Sequence, residues 1–375
     1  MNVQRFPCLA SAAAVVAMLG ACSGAQPPLT ATPPSPQWES SRSARRACAK
    51  APPGRAECLV LVLNAGMQPD VSGWGPPDIQ AAYDLPSSTK GSGEIVAVVD
   101  AYDNPNVASD LAKYRAQYGL GTASFYKYNQ TGQQSNYPAG STGWGVEIDL
   151  DAEMVSASCP LCTIYLIEAN SADSSDLQAA EKEAVKLGAH IVSNSWICYG
   201  SDNCVDKSDF DAPGVIYLAS AGDDGSNKGG APMAFDSVAA IGGTVLSKNG
   251  SQYSEMPWSS SGGGCLTGVK RPKWQHDTFC KYRSANDASA VASGVAEYDS
   301  YGEAGWISVG GTSVSAPILA GVFGLAGNPT KQDGGRTFWQ KAHHQYLHDI
   351  CGGSCLSSTY SYAGGWGSPD GIGAF

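Results

Sequence analysis

Residues 308–327 read "SVGGTSVSAPILAGVFGLAG". Ser313 follows a tight glycine turn and leads into a long apolar run. That is how a chain exposes a nucleophile at the start of a buried helix. A nucleophilic serine needs a neighbour to take its proton, and the usual neighbour is histidine. The chain has five. His190 opens an apolar strand, His276 follows "KWQ", and His343, His344 and His348 lie near the C-terminus. None stands in a segment suited to the role, so the base must be sought elsewhere.

Outward from this stretch, apolar runs alternate with helical patterns. "EIVAVVDA" (94–101), "TIYLIEA" (163–169), "HIVSNSW" (190–196), "VIYLASAG" (215–222) and "VAAIGGT" (238–244) read as strands. Residues 105–118, 143–157 and 173–187 read as helices. Continuous Val/Ile/Leu runs separated by helices predict an α/β fold with a mainly parallel sheet covered on both faces. Sites in such sheets gather where loops leave the carboxyl ends of strands. "SAGDDGSN" (220–227) and "SVGGTS" (308–313) are two such exits.

The stretch "WGVEIDLDAEMV" (144–155) holds four carboxylates, with Glu147/Asp151 and Asp149/Glu153 each four apart. On a helix with Trp144 at about 0°, Glu147 and Asp151 fall at about 300° and 340°, within the arc of Leu150, Met154, Val155 and Ile148. Asp149 and Glu153 fall at about 140° and 180°, on the side expected to face solvent. Two carboxylates on a buried face repel and are desolvated, which raises their joint pKa and leads them to share a proton. Such a pair is either a boundary pair satisfied by backbone donors or a basic residue, or a catalytic base.

The 45 glycines and 22 prolines fit a turn-rich α/β or β protein rather than a helical bundle. A net charge of −11 argues against nucleic acid, since a phosphate-binding surface needs clustered Lys and Arg. "MNVQRFPCLASAAAVVAMLGAC" has one early arginine, an apolar stretch too short for an ordinary membrane span, and small residues at its end. It predicts export, with residues 1–21 as signal peptide. Leu19-Gly20-Ala21-Cys22 resembles a bacterial lipobox, which predicts a lipid on Cys22 and a cell-envelope location; the alternative is plain secretion. Residues 22–47, rich in Pro, Ser, Ala, Thr and Arg, are expected to be a disordered tether.

From Cys48 the composition is globular to the end. Residues 48–375 are expected to form a single domain, with 48–92 as an N-terminal extension, and to act as a monomer. Ten cysteines outside the signal fall in neighbouring couples: Cys48/Cys58, Cys159/Cys162, Cys198/Cys204, Cys265/Cys280 and Cys351/Cys355. In an exported chain an even count points to disulfides, paired here by proximity. Cys159-Pro-Leu-Cys162 lacks the second Cys-x-x-Cys or ordered His pair that a zinc site needs.

"VAVVD", ending at Asp100, and Gly311-Thr312-Ser313 resemble the aspartate strand and nucleophile turn of subtilisin-like enzymes, but their His-Gly-Thr segment is missing. With its paired carboxylates the chain resembles instead the sedolisins, the serine-carboxyl peptidases. Their Glu-x-x-x-Asp motif matches Glu147 and Asp151, their Gly-Thr-Ser-x-x-x-Pro motif matches Gly311 to Pro317, and their Gly-Asp segment matches Gly222-Asp223. "AYDLPSS", "EANSADSSDLQAA" and "SNSW" add to the likeness, which runs from about Pro77 to the C-terminus.

The resemblance implies a subtilisin-like fold and a peptidase acting on peptides or proteins in acid through a Ser-Glu-Asp triad. Ser313 would be the nucleophile, Glu147 the base, Asp151 its partner, and Asp223 the oxyanion donor. It also implies calcium, held by Asp349, the Ile350 carbonyl and a glycine-rich loop around Gly365. The chain departs from the family in two ways: Gly367 stands where that loop normally ends in Asp, and only about 70 residues separate Cys22 from the first strand, where the family usually carries a large prodomain. Two rival functions remain in view: a catalytically silent surface lipoprotein that uses the fold for binding, and another serine-dependent acyl transferase.

Overall fold

Ile95–Ala101 (β1), seven residues of "IVAVVDA", is almost wholly buried. Such a run needs cover on both faces, which places it at the centre of a sheet. The other strands of that sheet are Ser124–Asn129 (β2), Thr163–Ala169 (β3), Ile191–Asn194 (β4), Ile216–Ser220 (β5), Val238–Asn249 (β6), Gln252–Pro257 (β7) and Ala288–Val291 (β8). Their order is β7-β6-β5-β4-β1-β3-β2, with β8 also paired to β6. Only β6 and β7 run antiparallel. The expected fold is therefore present: a subtilisin-like, mainly parallel sheet with helices on both sides.

This computed structural model describes residues 44–63, 71, 73–199, 204–226, 228–350 and 360–375. The signal peptide, Cys22, most of the stretch read as a tether, and the Cys351/Cys355 couple lie outside the described residues. The other four couples are disulfides as expected: Cys48–Cys58, Cys159–Cys162, Cys198–Cys204 and Cys265–Cys280. Among the described residues no helix is long and apolar enough to cross a membrane.

The helices are Pro76–Ala82 (α1), Val107–Tyr118 (α2), Thr142–Ser158 (α3), Ser174–Lys186 (α4) and Thr312–Ala326 (α5). α3 packs on α1, α2 and α5 and touches β1 and β3. α4 packs on β1 and β3. A hairpin of Ser293–Asp299 (β9) and Gly305–Gly310 (β10) forms a smaller antiparallel sheet, and its second strand feeds directly into α5.

Two features were not anticipated. Arg45–Arg46, within the stretch read as a tether, pairs antiparallel with Leu61–Val62, which in turn pairs with the end of β10. The helical phase of α3 also misplaces one carboxylate pair: Asp149 and Glu153 are fully buried, like Glu147 and Asp151. The phase argument assumes one solvent face, but α3 is surrounded by α1, α2, α5 and β9. A helix enclosed on all sides has no outer face for charges to occupy.

Candidate active site

Ser313 is the second residue of α5. Its N–H lies in the first turn, where amides have no intrahelical acceptor and the helix dipole is positive. Pro317 lies inside the helix four residues on. Lacking an N–H, it leaves the Ser313 carbonyl without its helical donor, and that carbonyl accepts from Ser195 Oγ at 3.4 Å instead. Ser195 Oγ also lies 2.6 Å from Asp151 Oδ1. Ser195 thus links the Ser313 backbone to the buried Asp151 carboxyl, a role the sequence reading had not assigned.

Glu147 and Asp151, one turn apart on α3, meet the start of α5 because the two helices pack together. Glu147 Oε2 accepts from the Leu59 and Val60 amides at 2.8 and 2.9 Å. Its other oxygen, Oε1, has no hydrogen-bond partner of its own. The Ser313 hydroxyl donates to the Ser195 carbonyl at 3.3 Å and also bears on Glu147, favouring its ionised form.

Asp100, at the end of β1, is the third carboxylate of this group. It is fully buried with both oxygens unpartnered, and burial pushes it up to about 7. Burial first, then the charge of Asp100, raises Glu147 and Asp151 well above the ordinary carboxyl range. Three buried carboxyls without a cation among these contacts cannot all ionise, so protons are retained between them.

Asp223 stands at the carboxyl end of β5. Its Oδ1 accepts from the Thr312 amide at 2.9 Å and lies 3.0 Å from Thr312 Oγ1. Thr312 Oγ1 also accepts from the Gly222 amide. Asp223 Oδ2 is unpartnered, and burial raises this carboxyl to about 7 against the lowering effect of Thr312. The four expected residues, Ser313, Glu147, Asp151 and Asp223, therefore gather around the start of α5.

Asp149 and Glu153 belong to a different cluster. Asp149 accepts from Asn104 Nδ2 at 2.7 Å, and Glu153 accepts from the Tyr298 amide at 3.1 Å. Burial, then Asp299 and Asp110, raises Asp149; burial, then Glu297 and Asp149, raises Glu153. Both carboxyls are thus hydrogen-bonded inside the protein rather than displayed to solvent.

The residues expected to hold calcium do not fit it. Asp349 is the one carboxylate of the set. The Gly365 carbonyl accepts from the Ser361 amide at 3.1 Å. A Cβ at Gly367 would sit 2.1 Å from the His348 carbonyl oxygen, so the missing Asp has no room there. A calcium ion wants six to eight oxygens, and no step below uses one.

Searched against protein-family models, the chain matches none. It is 29% identical over 285 residues to kumamolisin from Bacillus sp. (strain MN-32), covering 65% of this chain and 50% of that protein. The chain thus spans about half the length of the curated relative it matches. Its fold is similar to that of Pseudomonas sedolisin, a serine-carboxyl proteinase solved with two molecules of pseudo-iodotyrostatin, with a TM-score of 0.68, 22% identity, and coverage of 80% of this chain and 96% of the other. It is also similar to fervidolysin from Fervidobacterium pennivorans, a keratinolytic enzyme related to subtilisin, with a TM-score of 0.55, 16% identity, and coverage of 80% and 45%. The chain is thus similar in sequence to kumamolisin and similar in fold to subtilisin-like enzymes, Pseudomonas sedolisin among them.

Proposed function

We propose that the chain is a serine-type endopeptidase that hydrolyses peptide bonds in acid. The observation that carries this reading is the convergence of Glu147 and Asp151, one helical turn apart, on Ser313, with Asp223 on the same helix start. Glu147 takes the Ser313 Oγ proton as that oxygen attacks the peptide carbonyl. Asp151 orients Glu147 and shares its proton. Asp223, protonated, and the Ser313 amide donate to the oxyanion. Glu147 then gives its proton to the leaving amine, and water repeats the cycle on the acyl-enzyme.

The test is digestion of a denatured protein across a pH series, with products identified by mass. Cleavage should be strongest below neutrality and absent with Ser313→Ala. No cleavage at any pH would leave the silent binding lipoprotein standing. Transfer of the acyl group to an added amine, without hydrolysis, would favour the acyl transferase.

The anchor is part of the same reading. Cys22 carries a lipid that holds the enzyme at a bacterial envelope, motivated by the Leu19-Gly20-Ala21-Cys22 ending. Mass analysis of the mature N-terminus should find a diacylglyceryl-type addition on Cys22. An unmodified N-terminus elsewhere would make the protein secreted.

A further inference from the structure

A cavity of about 880 Å³ opens between residues 273–279, residues 336–344 and Trp366. That is within the roughly 300–1,000 Å³ that ligand sites span. Its described lining includes none of Ser313, Glu147, Asp151 and Asp223. Trp274, Phe279, Trp339 and Trp366 give it aromatic walls, and Lys273, Arg336 and Lys341 stand among them. Against these three cations the described lining holds one carboxylate, Asp277, in a chain whose net charge is −11.

The walls are held from behind. Trp339 Nε1 donates to Asp287 Oδ1 at 2.8 Å. Asp287 is fully buried, and the equally buried Arg283 donates to the same oxygen at 2.8 Å. The Arg283 guanidinium in turn lies over the Trp274 ring, 5.2 Å from its centroid. Trp366 meets Trp339 edge-on at 5.3 Å between centroids and stacks on His344 at 4.0 Å. The Cys265–Cys280 bridge closes the loop that carries Lys273, Trp274 and Phe279, and Arg271 clips that loop by donating to the Gln275 carbonyl at 2.9 Å. A wall fixed before a ligand arrives spares the ordering cost of binding.

The cations are the part of this wall that packing does not require. Lys273, Arg336 and Lys341 are all exposed. Among the described residues neither Lys273 nor Lys341 forms an ion pair. Arg336 pairs with Asp333, but both side chains are exposed and such a pair contributes little. We propose that this cavity is a second binding site, and that its ligand is an oligosaccharide bearing carboxylates. A sugar ring lays its C–H face flat on an indole. Its hydroxyls meet Thr278 and Gln340, and its carboxylates meet the lysines and, in two-pronged fashion, Arg336. An acidic peptide also offers carboxylates, but on flexible stems whose freedom is lost on binding.

This site stands whether or not Ser313 is a nucleophile, because the two share no described lining residue. Joined to the peptidase reading, it holds the chain on an acidic glycan and raises the effective concentration of proteins carried by the same polymer.

The experiment is titration of the full chain with trigalacturonate, read by tryptophan fluorescence and calorimetry. Trigalacturonate should bind in the millimolar range or tighter. Galactotriose, the same ring without carboxylates, should bind at least ~10-fold more weakly, since it lacks the charge-assisted contacts. The Lys273→Ala/Lys341→Ala pair alters two exposed positions, so the thermal midpoint should be retained. It should lose at least ~10-fold in affinity for trigalacturonate and leave galactotriose as before. Trp274→Ala should weaken both sugars; if that variant does not fold, the lysine pair decides the site. No binding at ~10 mM, equal binding of the two sugars, or trigalacturonate binding indifferent to the lysine pair overturns the inference. Triglutamate binding as tightly as trigalacturonate also overturns it, and makes the cavity a site for acidic peptides.

Discussion

Glu147→Gln is expected to lower turnover by at least ~10²-fold, the contribution of a positioned acid–base group, while the protein stays folded. Glutamine keeps the shape and one acceptor oxygen for the Leu59 and Val60 amides, but it cannot take the Ser313 proton. Asp151→Asn should fall comparably. It leaves Ser195 a carbonyl to bond, yet it removes the carboxyl with which Glu147 shares a proton. The contrast is Asp149→Asn. Asp149 is as deeply buried on the same helix, but its contact is to Asn104, away from Ser313. Burial, then Asp299 and Asp110, raise Asp149 and favour its uncharged form, which an amide resembles, and turnover should stay within a few-fold of wild type. Initial rates on one peptide, with folding followed by circular dichroism, decide this. A dead Asp149→Asn beside an active Asp151→Asn would reverse the assignment of the pairs.

Much of this architecture was legible in the chain. The buried strands β1, β3, β5 and β6 announce themselves because a strand covered on both faces must be continuously apolar. The edge strand β2, "SFYKYN", alternates exposed and half-buried positions and carries no such run. The site was legible because Glu-x-x-x-Asp and Gly-Thr-Ser each keep their chemistry within a single turn or helix. What failed was the inference from helical phase to exposure. Period 3.6 says which residues share a face, but not whether the opposite face is wet. In α3 it is dry; burial raises its acids, and they bond Asn104 and the Tyr298 amide. Ser195, the buried state of Asp100 and the amides that Leu59 and Val60 give to Glu147 were hidden for another reason. Each acts through a neighbour more than 40 residues away in the chain, a distance that no local pattern spans.

Asp223→Ala should lower turnover by roughly 10²–10³, as expected for losing an oxyanion donor, and Asp223→Asn should retain more, since an amide donates without titrating. The pH dependence separates a donor from a mere support. Burial lifts Asp223 from the ordinary carboxyl range to about 7, so its proton is held in acid and lost as pH rises through that value. Wild-type activity should decline along with it, and Glu147 and Asp151, both raised, lose their shared proton in the same direction. Asp223→Asn should therefore show a weaker alkaline decline than wild type, the remainder being due to the pair. Stability moves the same way and must be followed in parallel. A carboxyl whose pKa is higher folded than unfolded stabilises the fold fully below its unfolded value of about 4, and that contribution is lost as pH rises through the folded value. For Asp100 and Asp223 this window runs from about 4 to about 7. The measurement is turnover of one peptide by all three proteins from acid to mild alkali, with the thermal midpoint taken at each pH. A folded wild type most active above pH ~8 would require a base or donor outside these carboxyls, because Asp223 would by then have lost the proton it is assigned to donate.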